Sequence, residues 1–157
     1  MEPQTASDNF VTFLNNGSYL VDPIGSSNRN SDGFAFNDEI RWTGKFPKIF
    51  VELASDLPHD KSFGQNFSYV NDVVFNVYFI TKTSNQNVYG DTTGSYKNDG
   101  FVRHYLEKVR DAVRETGSAI TGIYNPTFGS MSNVTTPTDK PGFRLGMTPI
   151  SFSYRKV

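Results

Sequence analysis

Residues 67–83 constrain the fold more than any other stretch. Val73, Phe75, Val77 and Phe79 alternate there with Val74, Asn76, Tyr78 and Ile80, so both sides of an extended chain are largely apolar. Successive side chains of a strand point to opposite faces. A run that is apolar on both faces is expected to be a central strand with protein on either side of it. A chain of 157 residues has room for one such core, burying about two thirds of the surface that its unfolded form exposes. Residues 1–157 are therefore read as one domain.

The neighbouring patterns supply the rest of a sheet. In residues 46–53, Ile49, Val51 and Leu53 point one way and Phe50 and Glu52 the other, with Pro47 at the entrance, where a missing amide proton is tolerated. Near the C-terminus Ile150, Phe152 and Tyr154 alternate with Ser151, Ser153 and Arg155, which predicts a strand with one wet face. Ile40-Arg41-Trp42 and residues 119–124 are shorter strand candidates, the second ended by Asn125-Pro126. Residues 101–116 carry Phe101, Val102, Tyr105, Leu106, Val109, Ala112 and Val113 at helical spacing, with Asn98 or Asp99 as a cap and Gly117 as a stop. Residues 7–15 predict a short helix capped by Ser7 or Asp8, burying Phe10, Phe13 and Leu14. Residues 22–37, 54–65, 84–100 and 129–142 are rich in Gly, Pro, Ser and Asn and are expected to be loops. The sum is an α+β domain: an antiparallel or mixed sheet with one long helix (about 101–116) and a short N-terminal helix packed on it.

Composition then narrows the function. With 15 Lys+Arg against 16 Asp+Glu the formal net charge is -1, which argues against a protein built to grip nucleic acid or an anionic membrane. No cysteine is present, which removes disulfides, thiolate metal sites and Cys nucleophiles. No segment reads as a signal peptide or a transmembrane helix. Aromatic residues make up 15 % of the chain and stand among 14 Asn, 15 Ser and 14 Thr. Such a mixture suits a protein that sits against other subunits, since aromatic rings are favoured and charges depleted in interface cores, and it equally suits a β-rich monomer with an aromatic core. Many of these rings fall on inward positions of the strands and the helix. Tyr89, Tyr96 and Phe128 fall in polar loops and are the candidate subunit-contact residues.

Signatures of chemistry are weak. Gly90 to Lys97 has glycines and a lysine without phosphate-loop spacing, and no Gly-x-Ser-x-Gly elbow occurs. His104 belongs at the edge of the long helix, where a surface role outweighs that of a base. Asp56, His59 and Asp60 could approach a divalent ion, but no further ligand at a recognisable spacing completes the set. No catalytic residue, cofactor or metal is assigned, and a non-enzymatic protein is expected.

The order of elements is itself informative. A short N-terminal helix, a Pro-led strand (46–53), a long two-sided strand ending Tyr78-Phe79-Ile80-Thr81-Lys82, a polar Gly-rich loop, a helix built as Phe101-Val102-x2-Tyr105-Leu106-x2-Val109-x2-Ala112-Val113 and a final strand follow one another. This arrangement resembles the tail terminator, or tail-completion, family of long-tailed viruses, over most of residues 40–157. The resemblance implies a virion structural protein, made in the host cytoplasm, that assembles as a homo-oligomeric ring, usually a hexamer. Such a ring stops tail-tube polymerisation and joins the tube to the head or neck, with the tail tube protein and head-tail connector proteins as partners. It implies no specific nucleic-acid binding and no membrane. The insert at residues 22–37 departs from the family's minimal pattern. Rival readings are another phage neck, baseplate or decoration subunit, or a β-rich carbohydrate-binding module in which Trp42 stacks on sugars.

Overall fold

The computed structural model of the chain describes residues 1–25, 29, 33–58, 70–83 and 99–155. Its centre is an antiparallel ladder between β3 (Val70–Lys82) and β5 (Phe143–Arg155), in which every residue of β3 is paired, from Val70 opposite Arg155 to Lys82 opposite Phe143. On the other side of β3 runs β2 (Lys48–Pro58), antiparallel, with a bulge between Leu53 and Ser55. β1 (Ala35–Phe36) joins β2 in parallel, and β4 (Ile123–Phe128) joins β5 antiparallel, so the sheet is mixed and ordered β1-β2-β3-β5-β4. The long two-sided run is the middle strand, and the domain is α+β as the pattern predicts.

Both helices cover one face. α1 (Pro3–Leu14) lays Phe10 on Phe75 with ring centroids 5.5 Å apart and edge-on to Phe152 at 5.1 Å. α2 (Asp99–Thr116) buries the whole predicted stripe and sets Tyr105 flat against Phe79 at 4.7 Å, with Phe101 edge-on at 5.5 Å. The contact between α2 and β5 requires Gly146, because a Cβ there would stand 2.6 Å from Val102 Cγ1. Inward positions of β3 and β5 (Val73, Phe75, Val77, Phe79, Ile150, Phe152, Tyr154) are sealed in this core.

Several boundaries differ from expectation, each for a tertiary reason. α1 begins at Pro3, without a side-chain cap, because proline's missing N–H costs nothing in the first turn; Ser7 is buried inside the helix rather than capping it. β2 continues past Leu53 to Pro58, since β3 is long enough to pair with it beyond the bulge. Ala119 closes a short 3-10 turn (Gly117–Ala119), and β4 starts at Ile123. Asn125, at φ 53, and Pro126 lie in a bulge of β4 rather than at its end. Residues 40–42 form no strand. β3 lies within the run predicted for the central strand and β5 includes the alternation predicted near the C-terminus, and residues 129–135 run beside β5, with Ser132 N donating to Met147 O and Thr135 bridging Leu145.

Two polar side chains, Asn15 and Arg29, hold the described parts of the 22–37 segment. Asn15, just past the end of α1, donates from Nδ2 to Ala35 O (2.9 Å), while its Oδ1 accepts the amides of Phe34 and Ala35 (2.9 and 3.0 Å). Gly33 makes the room: its φ is +76 and a Cβ there would meet Asn15 Oδ1 at 2.7 Å. The guanidinium of Arg29, 3 % exposed, pairs with Asp22 through Nε (2.8 Å) and donates to the carbonyls of Lys45 and Pro47. Asn15→Ala strips three backbone groups of partners and is expected to cost about 3 kcal/mol in urea unfolding, with Asn15→Asp, which keeps both acceptor contacts, costing less.

Two buried phenols set the alkaline limit. Tyr154 OH donates to Asp56 Oδ1 (2.7 Å) and Tyr105 OH to Val21 O. Burial is the main cause that lifts both above the ordinary tyrosine value, reinforced at Tyr154 by its bond to Asp56 and at Tyr105 by the charge of Asp22. The folded state therefore keeps protons that the unfolded chain releases near pH 10. Stability is complete below that pH and falls as pH rises through it, by about 1.4 kcal/mol per pH unit for each retained proton. Urea melts between pH 8 and 11 should show this decline, and it should be shallower in Tyr154→Phe.

Candidate interaction surface

Alternation along the strands leaves a second face opposite the helices. Its rows, read across β2, β3 and β5, are Lys48–Ile80–Leu145, Phe50–Tyr78–Met147 and Glu52–Asn76–Pro149, followed by Leu57–Asp72–Ser153 with Tyr124 of β4 beside them. The central strand was expected to be covered on both sides, and among the described residues this holds at one end only. There residues 37–46 fold over the sheet and bury Ile80. Beyond it Phe50, Val74, Tyr78, Met147 and Pro149 stay half-exposed and Leu57 is 63 % exposed.

The covering segment is an aromatic cap laced with cations. Phe46, buried before a cis Pro47, and Trp42 both meet the ring of Phe143 edge-on, at 4.9 and 5.1 Å. Lys48 Nζ lies 4.8 Å from the Phe46 centroid and 5.7 Å from that of Phe36; Lys82 lies 5.6 Å from Phe46, Arg41 5.9 Å from Phe36 and Lys140 5.9 Å from Trp42. All fall within the roughly 6 Å at which a ring quadrupole attracts a cation. The crevice beneath the cap, lined by Phe36, Ile40, Phe50 and Ile80 among others, has about 10 Å³ of free volume, enough for about one water and too little for an organic ligand.

The open part of the face has the opposite sign. Glu52 is exposed and accepts from Asn76 Nδ2 (3.2 Å) and Tyr78 OH (3.3 Å); burial and then the Glu52 charge raise the Tyr78 phenol. Asp72 accepts from Ser153 Oγ (2.8 Å). Among the described residues, the cation on this open part is Arg155, at the far rim opposite Val70.

Of the predicted contact residues, Phe128 stands at the end of β4 and not in a polar loop. It faces inward, half-buried, with the guanidinium carbons of Arg110 and Arg114 5.5 and 4.7 Å from its centroid. The extra strand length past Asn125-Pro126 carries it there. Tyr89 and Tyr96 lie outside the described residues, as do His59, Asp60 and the Gly90–Lys97 stretch. Asp56 is occupied structurally, accepting from Tyr154 and Asn71. No group of three or more His, Asp or Glu that could hold a metal occurs among the described residues. None of their helices is long and apolar enough to cross a membrane. Trp42 is half-exposed, edge-on to Phe143 with Lys140 Nζ beside its ring.

The cap is the feature that sequence reasoning missed. Cations and rings do alternate in residues 41–50, but the pairs that form are not sequence neighbours: Arg41 meets Phe36, Lys48 meets Phe36 and Phe46, and Trp42 meets Lys140, so spacing alone did not reveal them. A search of known protein families finds no matching family, and a search of curated proteins finds no matching relative.

Since the chain has one Trp, the emission of Trp42 reports on the cap. Phe46→Ala should shift that emission to the red and cost about 3 kcal/mol in urea unfolding. Lys48→Met, which keeps most of the apolar stem and removes the charge, should cost less than about 1 kcal/mol and leave the emission unmoved.

Proposed function

We propose that this chain is a non-enzymatic virion structural protein, a tail terminator subunit that closes into a ring, ends the tail tube and joins it to the head or neck. The observation that carries the reading is the one-sided sheet. Both helices pack on one face, and the long strands β2, β3 and β5 leave Phe50, Tyr78, Met147 and Pro149 half-exposed on the other. A contiguous apolar face of that kind, ringed by polar groups, marks a protein–protein contact. The order of elements supports the same reading: N-terminal helix, Pro-led strand, long middle strand, helix and C-terminal strand succeed one another as the resemblance requires. Two of the charged side chains are taken up structurally, Asp56 with Tyr154 and Arg29 with Asp22.

The mechanism is geometric. Subunits joined by heterologous contacts form a ring when the rotation closes and an open filament when it does not, and a closed ring limits growth. Its partners are copies of itself, most simply six, with the tail tube protein below and connector proteins above. Another neck, baseplate or decoration subunit would share the open face and differ in the object formed. Light scattering and negative-stain microscopy at tens of micromolar should show closed rings of uniform diameter. A monomeric mass at that concentration overturns the reading, and open filaments move the chain out of the terminator role.

A further inference from the structure

We infer that the occupant of the open sheet face is the cationic aromatic cap of a second copy of this chain. The inference rests on the assembly reading above and names the surfaces that carry it. The cap brings together Arg41, Lys45, Lys48, Lys82 and Lys140 against three acids, Asp38, Glu39 and Asp139, an excess of positive charge at one end of the sheet. Among the described residues, the open face beyond it carries Glu52 and Asp72, and Arg155 at its far rim. The net charge of -1 thus conceals two patches of opposite sign on one side of the molecule. A ligand of another kind, such as an acidic peptide, would satisfy the cap and leave the face bare. A second copy satisfies both, because each subunit gives its cap and receives its neighbour's.

The shapes and area agree. The cap stands above the sheet at one end, so the side view is a step, and the step of one copy can rest on the open tread of the next. From the Tyr78 row to the Val70 row the face runs nine residues, about 30 Å at about 3.3 Å per residue, and four strands make it about 19 Å wide. One contact then removes about 1,100 Å² counted over both partners, which passes the ~1,000 Å² expected of a specific interface. Phe50, Tyr78, Met147 and Pro149 supply its apolar centre, and the rings of Trp42 and Phe143 bring matching surface from the cap. Contact of this kind is directional, with a donor end and an acceptor face, as a closing ring requires.

The test uses the full chain and two charge-reversed variants. One carries Arg41→Glu, Lys45→Glu and Lys140→Glu in the cap, the other Glu52→Lys and Asp72→Lys on the face. In light scattering at low salt the wild type should associate, and each variant alone should associate at least ~10-fold more weakly. An equimolar mixture should recover assemblies of wild-type mass, because the acidic cap of one variant matches the basic face of the other. Recovery on mixing also shows that both variants are folded, and Glu52→Gln with Asp72→Asn, which keep the hydrogen-bond acceptors, should weaken association less than reversal does. A wild-type assembly whose mass neither variant alters overturns this inference and leaves the assembly reading standing. Loss of association in both variants with no recovery on mixing also overturns it. A monomeric wild type overturns both.

Discussion

The ladder between β3 and β5 is the constraint on which everything else in this molecule depends. Pairing runs unbroken from Val70 opposite Arg155 to Lys82 opposite Phe143, and because side chains alternate with a period of two, a slip of one residue would exchange the two faces completely. In the observed register Phe75 meets Ile150, Val73 meets Phe152 and Phe79 meets Gly146. Those pairs place Phe75 and Phe152 beneath α1, and Phe79 with Gly146, the one residue without a side chain, beneath α2. Phe10 then finds both Phe75 and Phe152, and Val102 and Leu106 approach β5 where Gly146 admits them. The same register puts Asp72, Asn76 and Tyr78 on the other side, so the character of the outer face follows from the packing of the inner one.

Polar side chains hold what the ladder cannot reach. The described residues between 22 and 47 include only a two-residue strand, which supplies few ladder bonds to fix their course. Asn15 replaces them by pairing with the backbone of Phe34 and Ala35, and Arg29 ties the Asp22 turn to the carbonyls of Lys45 and Pro47 at the root of the cap. A buried pair such as Arg29–Asp22 adds little net stability over an apolar equivalent, but breaking it leaves an uncompensated charge, so it specifies one path for the loop. Asn15 thus organises irregular backbone, and Arg29 ties the root of the cap.

Much of the fold was legible because it is periodic. The stripe from Phe101 to Val113 contains its own evidence for α2, and alternation around Phe75 and Phe152 identifies β3 and β5 without reference to anything distant. What escaped has no local period. Pro3 begins α1 through an absent hydrogen bond, β2 outruns its pattern because β3 offers partners as far as Asn71, and Asn125-Pro126, a stop signal in isolation, is absorbed as a bulge by pairing with β5. The candidate surface was legible only in part. Phe128 was singled out as a loop ring and is a strand residue beneath two arginines, whereas Tyr78, half-exposed on the open face beside Phe50, sits in a run that was expected to be covered on both sides. Nothing in their own neighbourhood records that the helices cover one side of the sheet alone.

The aromatic excess therefore divides into two populations with different physics. Phe10, Phe75, Phe79, Phe101, Tyr105 and Phe152 are sealed against one another, where rings contribute through area and edge or stacked geometry. Phe36, Trp42 and Phe46 meet cations instead, and their faces partly neutralise what would otherwise be a cluster of repelling charges over a sheet end, while Phe143 holds Trp42 and Phe46 edge-on. With those rings, positive charge is concentrated at one end of a face whose other charges are mainly acidic. A near-zero net charge describes such a molecule poorly, since what a neighbour meets is the separation of the two signs and not their sum.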